Sequence, residues 1–213
     1  MNNFVLSIII INVLFSYKGI QDRLFLDRYK FQVGPILAGQ KLRLFTSGFL
    51  HIDYMHLGFN MYALYIFSDA VVDSLGVLNF LIVYVGSMFL GNLFSLAYHK
   101  NEPYYSAVGA SGAVSGIVYS AVMLYPNMSL IMFPIPIPIP GYIFGIGYLL
   151  YSIYAMKKQL GNVGHSAHLG GAIGGFGLTL LLYPQLIFEN PVMIGLLAIP
   201  IVLLFVVEKR ITN

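Results

Sequence analysis

The chain has 213 residues, of which 58% are hydrophobic and 9% are charged, and its mean hydropathy is +0.81. Soluble domains carry about 25% charged residues, so this composition excludes an ordinary soluble domain and predicts a polytopic membrane protein. The net charge of +3 indicates no nucleic-acid partner, because all the basic residues can be placed in loops. The absence of cysteine excludes disulfides and thiolate chemistry.

Apolar segments separated by turn residues predict an all-α fold with seven membrane helices. The first helix covers about residues 3–17, and the loop that follows, 18–50, is apolar enough to fold on or into the bilayer surface. The other helices are expected over about 51–72, 77–98, 110–125, 142–156, 164–183 and 192–207. Proline at every second position of 134–140 predicts an extended connector. A bundle of this size has one interior, so we expect one membrane domain over 1–213.

Polar residues gather at the N-terminal ends of helices two, four and six. Counting membrane crossings places these three ends on the same face of the membrane. They carry His51, His56 and Asn60, then Ser111, then His165 and His168. Any one of them alone is explained by a histidine bonded to a neighbouring carbonyl or by an asparagine joining two helices. The whole set on one face favours a polar site, because ionisable groups in membrane segments face the bundle interior or a wet cavity.

Small residues at helical spacing predict that helices four and six pack closely. Helix four contains Gly112-x-x-x-Gly116, and helix six contains Ala167-x-x-x-Gly171-x-x-x-Gly175. Small residues four apart let two helix backbones approach each other in lipid. If the two stripes face each other, the N-terminal ends of both helices meet, and a hydrogen bond between Ser111 and His168 becomes reasonable.

These residue types fit nucleophilic catalysis by serine. Ser111 needs a base to remove its proton, and His168 is the candidate. The Ser111 N–H at a helix start, with His56 and Asn60, could stabilise an oxyanion. No Asp or Glu lies inside a helix core, so a Ser–His dyad is predicted. The sequence has no His-Glu-x-x-His motif and no pair of membrane aspartates, and His51 with His56 lacks acidic or cysteine partners for a metal.

Taken together, these residues resemble the rhomboid family of intramembrane serine proteases. The matching motifs occur in the family's order and cover helices two to six. They are Arg43 in Lys41-Leu-Arg-Leu-Phe-Thr-Ser-Gly-Phe-Leu-His51, then His51-Ile-Asp-Tyr-Met-His56-Leu-Gly-Phe-Asn60, Gly109-Ala-Ser111-Gly112, and Ala167-His168-Leu-Gly-Gly171.

The resemblance implies an active site and a reaction. Ser111 is then the nucleophile, His168 the base, and His56 with Asn60 the oxyanion donors. The residues implied as structural support are His51, Arg43, Gly109, Gly112 and Gly171, of which the first two hold the first loop. The implied fold is a six-helix core, about 3–183, with the seventh helix as a C-terminal addition. The expected reaction is hydrolysis of a peptide bond in or near the transmembrane segment of a single-span substrate, within the lipid bilayer of a bacterial cell (inner) membrane and without a cofactor or metal.

Two positions depart from the family pattern. Many members have an aromatic residue four positions after the serine, packed against the catalytic histidine, whereas this chain has Ser115. Many also have tryptophan before the loop arginine, whereas this chain has Leu42. The first departure means that another side chain has to pack against the ring of His168.

Orientation and activity stay open at this stage. All eleven lysines and arginines fall on the active-site side, which by the positive-inside rule is cytoplasmic, whereas bacterial rhomboids open to the other side. An inactive rhomboid-like protein that binds membrane clients is one alternative, although Ser111, His168, His56 and Asn60 are all intact. A small transporter or channel is another, but it would distribute polar residues through the depth of the bilayer.

Overall fold

The computed structural model describes residues 2–132, 135–158 and 164–207. The chain is predominantly α-helical, as predicted. In chain order the helices are α1 Asn3–Gln21, α2 Arg23–Tyr29, α3 Val33–Leu37, α4 Arg43–Thr46, α5 Tyr54–Tyr98, α6 Ser111–Leu124, α7 Gly141–Lys158, α8 His165–Leu182, α9 Leu186–Glu189 and α10 Pro191–Val207. A 3₁₀ turn, Ser47–Phe49, follows α4. The short strands are β1 Phe31–Gln32, β2 Ser106–Ala107, β3 Ser129–Met132 and β4 Ile135–Pro140.

Predicted helices two and three form the single element α5, which is broken at Gly76. Gly76 has φ 79° and ψ 163°, a conformation that glycine adopts without strain. The two halves, 54–75 and 77–98, each have the roughly 20 residues that cross a bilayer. Asp53 caps the start of α5 by accepting a hydrogen bond from the His56 N–H at 2.7 Å. The first half of α5 therefore carries His56 in its first turn and Asn60 one turn later.

Two described helices, α1 and α5, are long and apolar enough to span a membrane, and α6 and Pro191–Val206 are shorter apolar helices. This finding agrees with a membrane-embedded chain. The number of spans, the six-helix core with a seventh helix and the single domain over 1–213 stay predictions.

The proline-rich segment is extended, as predicted, and it is also paired with another strand. Its strand β4 forms an antiparallel hairpin with β3, with Ser129 opposite Pro140 and Leu130 opposite Ile139. Neighbouring residues of a strand direct their N–H groups to opposite sides. Proline at every second position therefore removes only the N–H groups that face away from β3, which is how an edge strand tolerates proline.

The first loop is a folded unit tied to the segment before α6. Strands β1 and β2 pair Phe31 with Ala107 and Gln32 with Ser106. Arg43 Nη1 donates to the backbone oxygens of Asp27 and Lys30, both at 2.9 Å. The loop has its own buried cluster, formed by Phe31, Val33, Ile36 and Leu44. Strand pairing thus joins this unit to the chain that leads into Ser111.

Helices α5, α6 and α8 form the centre of the bundle. The side-chain positions of α6 from Gly112 to Met123 are all buried. A Cβ atom at Gly171 would overlap the carbonyl oxygen of Gly112, and a Cβ atom at Gly175 would overlap that of Gly116. The small-residue stripes of α6 and α8 therefore face each other at backbone contact, which brings the starts of both helices together.

Candidate active site

Ser111 is the first residue of α6, so its backbone N–H is among the unbonded N–H groups at a helix N-terminus. The preceding residues, Gly109 and Ala110, turn the chain sharply into the helix. Gly109 has φ 143° and its N–H donates to Ser47 O at 3.0 Å. The Ser111 side chain is half-buried. The local backbone therefore presents a hydroxyl at the positive end of a helix dipole.

Gly109 creates the space that His56 occupies. A Cβ atom at this position would lie 2.8 Å from His56 Cε1, 3.0 Å from His56 Nε2 and 3.4 Å from Ser111 Oγ. The imidazole of His56 and the hydroxyl of Ser111 therefore border the same small space. Because φ at Gly109 is also unfavourable for L side chains, glycine is required here on two grounds.

Asn60 lies one turn after His56 and is buried, with 6% of its surface exposed. Its Nδ2 atom donates to the His56 carbonyl oxygen at 3.0 Å. An amide NH₂ group carries two hydrogens, so this bond leaves one for another acceptor. Asn60 thus shares a helix face with His56, with half of its donor capacity used inside α5.

His51 links α1 to the residue before Ser111. The Ala110 N–H donates to His51 Nε2 at 3.3 Å, and His51 Nδ1 pairs with Ser16 Oγ at 2.7 Å. Because Nε2 accepts, we assign the ring proton to Nδ1. Burial lowers the pKa of His51 to about 3, so the ring is neutral. The resemblance implied that His51 and Arg43 both hold the first loop; Arg43 contacts that loop, whereas His51 contacts α1 and the Ser111 turn.

His168 lies in the first turns of α8, half-buried, next to the backbone contact between α6 and α8. A Cβ atom at Gly112 would lie 3.3 Å from the carbonyl oxygen of Ala167. Ser111 and His168 thus flank a close helix contact. Among the described residues, no hydrogen bond joins Ser111 Oγ to the His168 imidazole, and such bonds are often long before substrate binds.

Sequence reasoning missed Tyr148 on α7. Its ring lies nearly parallel to that of His168, and its hydroxyl is hydrogen-bonded to Ser115 Oγ. The only signal in the sequence was indirect, namely a serine where an aromatic residue was expected. Leu42, in place of the family's tryptophan, is 67% exposed.

Comparison with known proteins identifies a family. The rhomboid domain matches residues 38–185, a range that contains α4 to α8. Rhomboid protein 1, mitochondrial, of Saccharomyces cerevisiae is 31% identical over 138 residues, which are 63% of this chain and 40% of that protein. The rhomboid-named protein YdcA of Bacillus subtilis is 34% identical over 149 residues, 68% of this chain and 69% of that protein.

Human presenilin-associated rhomboid-like protein, mitochondrial, is 31% identical over 154 residues, which are 69% of this chain and 39% of that protein. The chain thus spans about two fifths of the yeast and human relatives. The match covers the residues that form the bundle centre and the candidate site. The chain belongs to the rhomboid family, a family of membrane-embedded proteins.

Proposed function

We propose that this chain is a serine-type intramembrane endopeptidase that hydrolyses peptide bonds in or near transmembrane segments of membrane-protein substrates. One observation carries the proposal: Ser111 Oγ and His56 Nε2 border the same space beside Gly109, at the start of a helix packed against the helix of His168. Nucleophile, candidate base and candidate oxyanion donors therefore come from three helices that meet at one end.

The reaction uses Ser111 as nucleophile and His168 as general base. Ser111 Oγ bonds to the carbonyl carbon of the substrate while its proton passes to the His168 imidazole. The tetrahedral intermediate collapses, the C–N bond breaks, and the imidazolium returns the proton to the leaving amine. Water then attacks the acyl–Ser111 ester while one of its protons passes to His168. The ester C–O bond breaks, the imidazolium returns this proton to Ser111 Oγ, and the carboxylic acid is released.

Three donors are assigned to the developing oxyanion. The Ser111 N–H is free at the start of α6, and His56 Nε2 faces the same space across Gly109. The amide hydrogen of Asn60 that is not bonded to the His56 carbonyl is the third. Donors fixed by the fold stabilise negative charge without having to reorganise, and losing one such donor costs about 100-fold to 1,000-fold in kcat.

The substrate class follows from the setting of the site. A nucleophile on a membrane-embedded bundle reaches peptide bonds at the end of a substrate helix, so single-span membrane proteins in the lipid bilayer are the proposed partners. Relatives come from mitochondria and from a bacterium, so the bacterial cell (inner) membrane stays a prediction. Fractionation of the source cells, with detection of this chain in the membrane fraction, tests it.

Cleavage of a generic single-span substrate in liposomes tests the proposed function. The purified chain is expected to cleave it, Ser111→Ala to leave it intact, and His168→Gln to lose nearly all activity. Equal cleavage by the unaltered chain and Ser111→Ala would refute the serine mechanism. If the unaltered chain bound the substrate and left it uncleaved, the inactive client-binding alternative would replace the protease.

A further inference from the structure

An aromatic side chain from α7 lies along the ring of the proposed base. The rings of Tyr148 and His168 are 21° from parallel, with centroids 6.3 Å apart. The rings of His165 and His168 are steeply inclined to each other, at 75°, with centroids 6.0 Å apart. The side chain at position 115 of α6 is a serine, which has no ring to place there. The nearly parallel ring beside His168 is therefore supplied by α7.

A hydrogen bond joins the hydroxyl of Tyr148 to α6. Ser115 Oγ donates to the Ser111 carbonyl oxygen at 2.6 Å, which uses its one hydrogen. The hydroxyl of Tyr148 must then be the donor in its short bond to Ser115 Oγ. Tyr148 is thereby connected, through one serine, to the backbone of the proposed nucleophile.

Two phenylalanines extend this arrangement beyond Tyr148. Phe144, one turn earlier on α7, lies 17° from parallel with Tyr148 at 6.0 Å. Phe67 of α5 lies 15° from parallel with Phe144 at 6.3 Å. The rings of Phe67, Phe144, Tyr148 and His168 thus form a row of nearly parallel neighbours, referred to below as a stack, that runs from α5 through α7 to α8. A ring held on one side by such a stack has few other orientations available to it.

We infer that Tyr148 is a positioning residue for His168 and that it acts through its ring. This inference rests on the proposed function, because it concerns the base of that reaction. Position 115, where many family members have an aromatic residue, here holds the hydroxyl of a ring from α7. The orientation of the base then depends on where α7 lies as well as on α6 and α8.

Four variants distinguish the effect of the Tyr148 ring on activity from the effect of its hydroxyl. Tyr148→Ala removes the ring, and kcat is expected to fall about 10-fold to 100-fold with little change in KM, because a misplacement of up to about 1 Å costs up to about 100-fold. Tyr148→Phe keeps the ring and should stay within about threefold of the unaltered chain. Ser115→Tyr in the Tyr148→Ala background should restore part of kcat by returning a ring to α6. Tyr154→Ala, on an exposed part of the same helix, is the matched control and should change nothing.

A second readout does not require activity. In histidine-labelled protein in lipid nanodiscs, the His168 ring resonance is assigned by its loss in His168→Gln. A neighbouring aromatic face shifts this resonance, so it should move in Tyr148→Ala and stay in place in Tyr148→Phe and Tyr154→Ala. Thermal unfolding of each variant shows whether the protein is folded when it is measured.

The two readouts distinguish the possible failures. If the resonance moves and kcat falls only in Tyr148→Ala, the inference is supported. If a folded Tyr148→Ala keeps the resonance in place, or keeps full kcat, the positioning role is overturned. If the unaltered chain is inactive while the resonance still moves in Tyr148→Ala, the proposed function fails, and the ring contact is supported as a structural one.

Discussion

Replacing Gly91 with alanine tests whether backbone contact between helices sets the distance between the catalytic groups. Gly91 lies on α5 against α8, where a Cβ atom would be 2.6 Å from the carbonyl oxygen of Ala167 and 3.2 Å from the N atom of Gly171. Ordinary contact begins at 3.4 Å, and both neighbours are backbone, so α8 has to move as a body. Ala167 is the residue before His168, so the base moves with it.

The expected losses of stability and activity in Gly91→Ala follow from this displacement of α8. Moving α8 away by about 1 Å costs about 1–3 kcal/mol in packing, which the better helix propensity of alanine offsets by less than about 1 kcal/mol. The net loss in the free energy of unfolding is about 1–2 kcal/mol, and a misplacement of about 1 Å lowers kcat about 100-fold. We therefore expect Gly91→Ala to fold but to cleave substrate far more slowly.

Two other glycines make the assay a graded series. A Cβ atom at Gly86 would meet only the flexible end of Leu178, so Gly86→Ala should lose less activity than Gly91→Ala. At Gly177 of α8, the added Cβ atom would meet nothing within 4 Å. Gly177→Ala should therefore retain activity and raise the free energy of unfolding by about 0.4–1 kcal/mol. The assay is liposome cleavage, with thermal unfolding in detergent. Full activity in Gly91→Ala, or equal losses in all three, would refute the argument from backbone contact.

Three further predictions concern the Ser111 turn and the orientation of the site. Gly109→Ala should lower the free energy of unfolding by about 1–3 kcal/mol and remove most of kcat, because φ is positive there and the Cβ atom would lie 2.8 Å from His56 Cε1. An active variant that is equally stable would contradict this. Folding lowers the pKa of His51 from its ordinary value of 6.5 to about 3. The neutral ring therefore contributes its full share of the free energy of unfolding above pH 6.5, and this contribution declines as the pH falls towards 3. The melting temperatures of the unaltered chain and His51→Ala should therefore converge on acidification, and a constant difference would exclude the effect. Lys158→Cys, in a chain without cysteine, should react with an impermeant thiol reagent on intact cells if the site opens outward, and only after lysis if it faces the cytoplasm.

Helix positions were largely predictable because apolar runs and breaking residues are local signals. The fourth helix was expected over about 110–125 and is Ser111–Leu124, and the break before residue 77 falls at Gly76. The first helix continues to Gln21 instead of ending near residue 17. Isolated polar residues do not end a helix, and the stop comes only at Asp22, which caps α2 through the Phe25 N–H.

The strands were not predictable because their pairing is not local. The segment β1 has two residues, and its partner β2 lies far along the chain. Alternating prolines indicated an extended chain, but nothing in Ser129–Met132 identified it as the partner strand. Segments this short have no periodicity of their own, so only the fold determines what they pair with.

In the candidate site, too, the features with a local sequence signal were predictable and the contacts between distant segments were not. Small residues four apart on α6 and α8 predicted a close helix contact, and that contact is present. The aromatic ring beside His168 was not predictable, because no sequence spacing relates Tyr148 on α7 to a residue of α8. The link from Ser16 of α1 through His51 to the Ala110 N–H was missed for the same reason. These contacts depend on how helices cross, which a single sequence records only indirectly.

The most direct test of the account is the position and chemistry of a covalent adduct. A fluorophosphonate reacts with a serine hydroxyl only where a base activates it, and mass spectrometry of the digested protein identifies the modified residue. We predict one adduct, on Ser111, which is absent in Ser111→Ala and strongly reduced in His168→Gln, with both variants still folded. An adduct on another serine, or undiminished labelling of Ser111 without His168, would contradict the Ser–His dyad.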